Sequence, residues 1–204
     1  MRTDIYKFEK AVTDFDSISE AAAKIAAYNG LDKKQEMRLT LLCEELVELL
    51  PNLLIFGNGE FWIENNGSSY EIHAVVEADE LLTAEDREEI LSVSSSGKNA
   101  AATGIINKIR IAAETMLASY AESAGASGVY STVPDIDYAF YDQGMYVDSL
   151  GYTNAWSLDR YRTEVKKGSD DWDELEKSVI AKLADDVTVG IIKGKVEITV
   201  KKKF

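Results

Sequence analysis

Three carboxylates, Glu44, Glu45 and Glu48, share one helical turn of the stretch LTLLCEELVELLPNLL. Residues three and four apart lie on one helix edge. A carboxylate placed there can activate a water or help to hold a cation. The plainer reading is a solvated helix edge, which most charge runs are. A second candidate is SSSGKNAAATGIINKI, where Gly97 and Gly104 supply permissive backbone, Lys98 a cation, and Ser94, Ser95 and Ser96 hydroxyls. A loop that runs into a helix leaves N–H groups free to cradle phosphate. His73 is the sole histidine. It has no second histidine or cysteine nearby for zinc, and no nucleophile motif beside it. Cys43 is the sole cysteine, so no intrachain disulfide can form. It sits among Leu41, Leu42 and Leu46, the setting of a buried, inert thiol.

The elements that must position these residues follow from periodicity. Residues 3–12 alternate around Ile5, Phe8 and Val12 and predict a first strand. Ser17 with Glu20 reads as a capping box for a helix that buries Ile18, Ala21, Ala22 and Ile25 and stops at Asn29-Gly30. Asp32 and Gln35 open a second helix in the same way, and Leu39, Leu42, Cys43, Leu46, Leu49, Leu50 and Leu53 form its apolar stripe up to Pro51. Strands at 60–64 and 69–78 form a hairpin about Asn65-Asn66-Gly67. In the second strand Tyr70, Ile72, Ala74 and Val76 face one way, and Glu71, His73, Val75 and Glu77 the other. A short acidic helix follows Thr83, and a long helix runs from Ala100 to about Ala121. Residues 122–169 read as an irregular, aromatic-rich insertion with Tyr138, Tyr141, Tyr146, Tyr152 and Tyr161, a satellite core or an interaction surface. A helix at 170–184 and a hairpin of 187–192 with 195–200 close the chain. Trp62, Trp156 and Trp172 are expected in core or lid packing, and Lys201-Lys202-Lys203 as a solvated strand end that guards a sheet edge.

The chain has 204 residues and 46% hydrophobic content, enough for one domain with a real core. Its net charge of −14 repels phosphate backbones and anionic lipid, so nucleic acid and membrane are not expected partners. No run reaches the ~18 apolar residues of a membrane span, and the N-terminal stretch lacks a signal-peptide pattern, so a cytoplasmic setting is expected. The fold class expected is α/β: a two-layer sandwich of a mixed, largely antiparallel sheet with helices on one face, residues 1–204 forming a single domain.

This order of elements resembles the histidine-kinase-like ATPase superfamily, the fold shared by sensor histidine kinases, anti-sigma-factor kinases, gyrase B and Hsp90. The resemblance covers most of the chain outside about 122–186. It implies a catalytic role for Glu45, the position of a water-activating glutamate. Four residues later, where the family carries a magnesium-binding asparagine, stands Leu49, which cannot bind a hard cation. Asn52 lies two turns from Glu45, ~10 Å along the helix axis, and is a poor substitute. The resemblance places Asp79 at the adenine-reading aspartate, but Glu80-Leu81-Leu82 follow in place of the spaced glycines. It places Ser96, Gly97, Lys98 and Gly104 at the phosphate loop. The implied ligand is ATP with magnesium, although no cofactor is fixed. The function expected is a regulatory, protein-binding chain on a degenerate ATP-binding fold; the alternative is a working ATPase or serine kinase with rearranged metal ligands.

Overall fold

A computed structural model describes residues 1–8, 15–50, 56–78, 104–105, 108–113, 116, 145–147, 154–165, 167, 169–192 and 195–204. In chain order the elements are β1 (Tyr6–Phe8), α1 (Phe15–Tyr28), α2 (Lys33–Leu49), β2 (Phe56–Asn66), β3 (Ser69–Ala78), β4 (Met145–Val147), β5 (Asn154–Ser157), α3 (Leu158–Glu164), α4 (Asp170–Lys177), α5 (Val179–Leu183), β6 (Asp186–Ile192) and β7 (Lys195–Lys203). Residues 105, 108–113 and 116 are also helical.

The strands form one seven-stranded sheet in the order β1-β2-β3-β7-β6-β5-β4. Every pairing among them is antiparallel, so the sheet expected as mixed is antiparallel throughout its described strands. The C-terminal hairpin supplies the centre, with β7 between β3 and β6. That corrects the edge-guard reading of the terminal lysines. Lys201 lies opposite Glu71 on β3, and Lys202 Nζ donates to Asp185 Oδ1 at 2.8 Å. The sheet also takes in part of the region expected as an irregular insertion, because β5 pairs with β6 and β4 with β5.

Alternation decides which side of each strand is buried. Phe61, Ile63, Tyr70, Ile72, Ala74, Val76, Val187, Val189, Val196, Ile198 and Val200 are all buried. Registers such as Ile63↔Ile72↔Val200↔Val187 run this apolar set across four strands. Against it pack Ile18, Ala22 and Ile25 of α1, the stripe of α2, and Ile105, Ile109, Ala112 and Met116. Full burial of one such side chain contributes ~1.5–3 kcal/mol. Cys43 belongs to this core, where burial pushes its thiol well above the usual range, as expected of an inert sulfhydryl.

Local signals set the boundaries. Asp32 accepts from Lys34 N and Gln35 N, both at 2.8 Å, while Gln35 Oε1 accepts from Asp32 N at 2.9 Å; the capping box of α2 is complete. The Ser17–Glu20 box is not the start of α1, which begins at Phe15 and places Ser17 inside the helix. The first hairpin turns at Gly67-Ser68, one residue later than the Asn65-Asn66-Gly67 reading, because Asn66 still pairs with Ser69. Gly67 takes φ +68, and the Asn65 side chain donates to its carbonyl at 2.7 Å. The helix expected over 170–184 breaks at Ser178, whose hydroxyl caps α5 by accepting from Ala181 N at 3.2 Å.

A polar staple fixes β5 and α3 to β6. Asp186 Oδ1 accepts from Ser157 Oγ at 3.1 Å and from Asp159 N at 3.0 Å. Arg162 reaches the carbonyls of Ala181, Ala184 and Asp185 at the end of α5. The carbonyls of Ala181 and Ala184 are C-terminal groups that the helix itself leaves unpaired.

Candidate functional site

Of the residues expected to bind nucleotide, Glu45 and Gly104 are described; Asp79, Ser96, Gly97 and Lys98 lie outside the described residues, as do Asn52 and the acidic helix after Thr83. Glu45 stands half-exposed at one edge of the apolar arc of α2. Burial first, then the charges of Glu48 and Glu44, hold its carboxyl above the usual range. Ser19 Oγ on α1 donates to Glu44 Oε1 at 3.0 Å, so α1 flanks the opposite edge of α2. Among the described residues no hydrogen bond or ion pair reaches Glu45. Leu49, at the position matched to a magnesium ligand, is 1% exposed and lies in the hydrophobic core. Gly104 is not helical; it takes φ +97, and its carbonyl accepts the first helical bond from Lys108 N at 3.1 Å.

A different group of polar side chains is assembled on the sheet face opposite the core. The registers line up Trp62↔His73↔Thr199↔Thr188↔Ser157 from β2 to β5. Cross-strand ion pairs surround this row: Arg2–Glu64 and Lys7–Glu60 at 3.9 Å, Lys201–Glu71 at 3.9 Å, and Lys195–Glu77. The carboxylates of these pairs are about half-exposed, and such pairs contribute ~0–1 kcal/mol each. Their main effect is to balance charge on this face, which the total of −14 does not do for the chain.

His73 sits at the centre of the row with its side chain 12% exposed. Its ring stacks on Trp62, centroids 4.8 Å apart and planes 6° from parallel. Arg2 lies 5.4 Å over the Trp62 ring, and the indole N–H donates to Glu64 Oε1 at 2.9 Å. Nδ1 of His73 is 3.1 Å from Glu197 Oε1 and 3.2 Å from Thr199 Oγ1. A carboxylate only accepts, so the contact with Glu197 is a hydrogen bond in the tautomer that carries the proton on Nδ1. Nε2 is buried without a hydrogen bond, and Glu71 Oε2 lies 3.6 Å from it.

No protein-family model, curated protein or solved structure matches the chain.

The two carboxylates approach different ring nitrogens, so they do not converge on a common cation. Among the described residues no group of three His, Cys, Asp or Glu side chains is arranged to hold a metal ion. Nor is any described helix long and apolar enough to cross a membrane. What the arrangement does is hold one imidazole between carboxylates from two strands, with a ring stacked on it from a third. Sequence reading placed His73, Glu71 and Val75 on the outer side of β3 but assigned Trp62 to core or lid packing; Trp62 belongs to the open face. Trp156, by contrast, is 2% exposed in the core, as expected. The contribution of Glu197 and Thr199 was missed. They stand 124 and 126 residues from His73. Alternation along β7 was the available signal, but it gives a side of the strand and not a register.

Proposed function

We propose that this chain is a regulatory, protein-binding module on a degenerate form of the histidine-kinase-like ATPase fold, with ATP hydrolysis lost. The observation that carries the reading is Leu49, 1% exposed among core side chains at the position where a nucleotide site needs a magnesium ligand. Phosphoryl transfer depends on a metal to neutralise developing charge. An alkyl side chain in the core cannot supply that ligand. The β-α-α-β-β order of the first 78 residues supports the fold relationship. The polar face of the sheet, with its central aromatic–histidine stack and balanced charge, supports contact with a protein surface rather than a phosphate backbone. The acidic total favours a basic partner.

The test is partner capture by the folded chain, with a photo-crosslinker at Thr188 on the open face and at Lys24 on α1 as control. A crosslinked species specific to Thr188 supports the reading. No species at either position, together with ATP turnover by the pure chain, contradicts it. A second reading, a nucleotide-binding enzyme with rearranged ligands, is favoured by one observation. Gly104 takes φ +97 next to helical Ile105, so a glycine that the resemblance places at the phosphate loop stands at a helix start.

A further inference from the structure

We propose that His73 is a proton-operated clasp on the open face: with its ring charged it ties Glu71 to Glu197, and with its ring neutral it releases Glu71 to Lys201. Nδ1 holds its proton toward Glu197 Oε1, with Thr199 Oγ1 beside it. In the neutral ring Nε2 therefore presents a lone pair. The group facing it is Glu71 Oε2 at 3.6 Å, also a lone pair. Two acceptors in contact repel, and the burial of Nε2 excludes the water that would separate them. One additional proton removes the conflict, since the charged ring donates from both nitrogens to both carboxylates.

Glu71 has somewhere else to go. Its other oxygen, Oε1, is 3.9 Å from Lys201 Nζ, directly across from it on β7. The carboxylate is 39% exposed, so it can turn without disturbing the core. The remaining groups around the ring hold it in place. Trp62 of β2 covers one face, Arg2 backs Trp62, and Glu64 accepts the Trp62 indole N–H. Glu197 is only 19% exposed and keeps Nδ1 anchored in either state. The part that moves is thus Glu71, between two cations, one permanent and one dependent on pH. Histidine as a class changes charge between about pH 5 and 8. The switch also changes the charge that the open face shows to any binding molecule.

Because His73 is the sole histidine, nuclear magnetic resonance reads it without ambiguity. The experiment follows the imidazole ring, the Glu71 side-chain carboxyl carbon, the Lys201 ammonium and the Trp62 indole N–H from pH 8.5 to 5 in the full chain. The expected result is that the Glu71, Lys201 and Trp62 signals move together with the ring. In His73→Gln those linked movements disappear, while the carboxyl signal keeps only its own titration. In Glu71→Gln, a half-exposed position that leaves the core intact, the ring still titrates and Lys201 no longer follows it. The proposal is overturned if the ring keeps one charge state over this range. It is equally overturned if the ring titrates while Glu71 and Lys201 stay still, or if Lys201 follows the pH unchanged in Glu71→Gln.

Discussion

Glu45 and His73 are both ionisable, both lie next to the core, and they are held in opposite ways. Glu45 sits on a helix beside like charges, Glu44 and Glu48, and its carboxyl is held up by burial and by that repulsion. His73 sits on a sheet, clasped between carboxylates from β3 and β7 and stacked on an aromatic ring from β2. The helix edge brings together neighbours in sequence; the sheet brings together residues more than a hundred positions apart. A charged cluster read along one helix is therefore weak grounds for a site. A polar cluster assembled by three strands requires a specific register, and every cross-strand partner must be the right residue.

The sharpest break in the comparison lies next to Glu45. Leu49→Asn places an amide, the residue type the resemblance would expect there, at a position buried in the core. We expect it to destabilise the fold by ~3–5 kcal/mol in urea denaturation, the sum of lost burial and a buried amide without partners. If the variant is as stable as the parent, Leu49 does not serve the core and the comparison fails. Next in size is Trp62→Ala on the open face. Loss of the imidazole stack and of the Arg2 contact should cost ~1–2 kcal/mol. An unchanged melting midpoint would mean the open-face stack is only an incidental contact.

Smallest is Glu45→Gln, and its sign is opposite. The folded-state carboxyl titrates above its unfolded value. Its contribution to stability is therefore fully present below the ordinary glutamate range, ~4.3, and is lost as pH rises through the raised value. At neutral pH Glu45 is a net cost. Glu45→Gln should stabilise the protein there by a few tenths of a kcal/mol, the shift being discounted for solvent screening. The gain should vanish near pH 3 in parallel thermal melts. A loss of stability at neutral pH would show that Glu45 has a favourable partner.

The difference between the two regions also marks what the sequence can disclose. The apolar stripes of α1, α2 and β3 were legible because burial imposes a period of 3.6 or 2 on residue type. The Asp32–Gln35 box was legible because both partners lie within one turn. The same rule misled at Ser17–Glu20, where the pattern is present but the helix has already begun at Phe15. The strands at 145–147 and 154–157 were not legible. They are short, and their assignment depends on pairing with β6 and with each other rather than on their own alternation. The central place of β7 was hidden for the same reason: three terminal lysines look like an edge until Glu71 and Asp185 are set opposite them. For the site, motif reading reached Glu45 and Leu49, and the structure places the second in the core. Motif reading could not reach the His73 cluster, which exists only once three strands are in register.

The central proposal is that the chain, with Leu49 buried at the position the resemblance matches to a magnesium ligand, has no magnesium-dependent nucleotide site. Calorimetric titration of the pure, folded chain with ATP and magnesium tests it most directly. The account predicts no binding heat at millimolar ATP and no release of phosphate on prolonged incubation. A saturable heat that requires magnesium, accompanied by phosphate release, would contradict it.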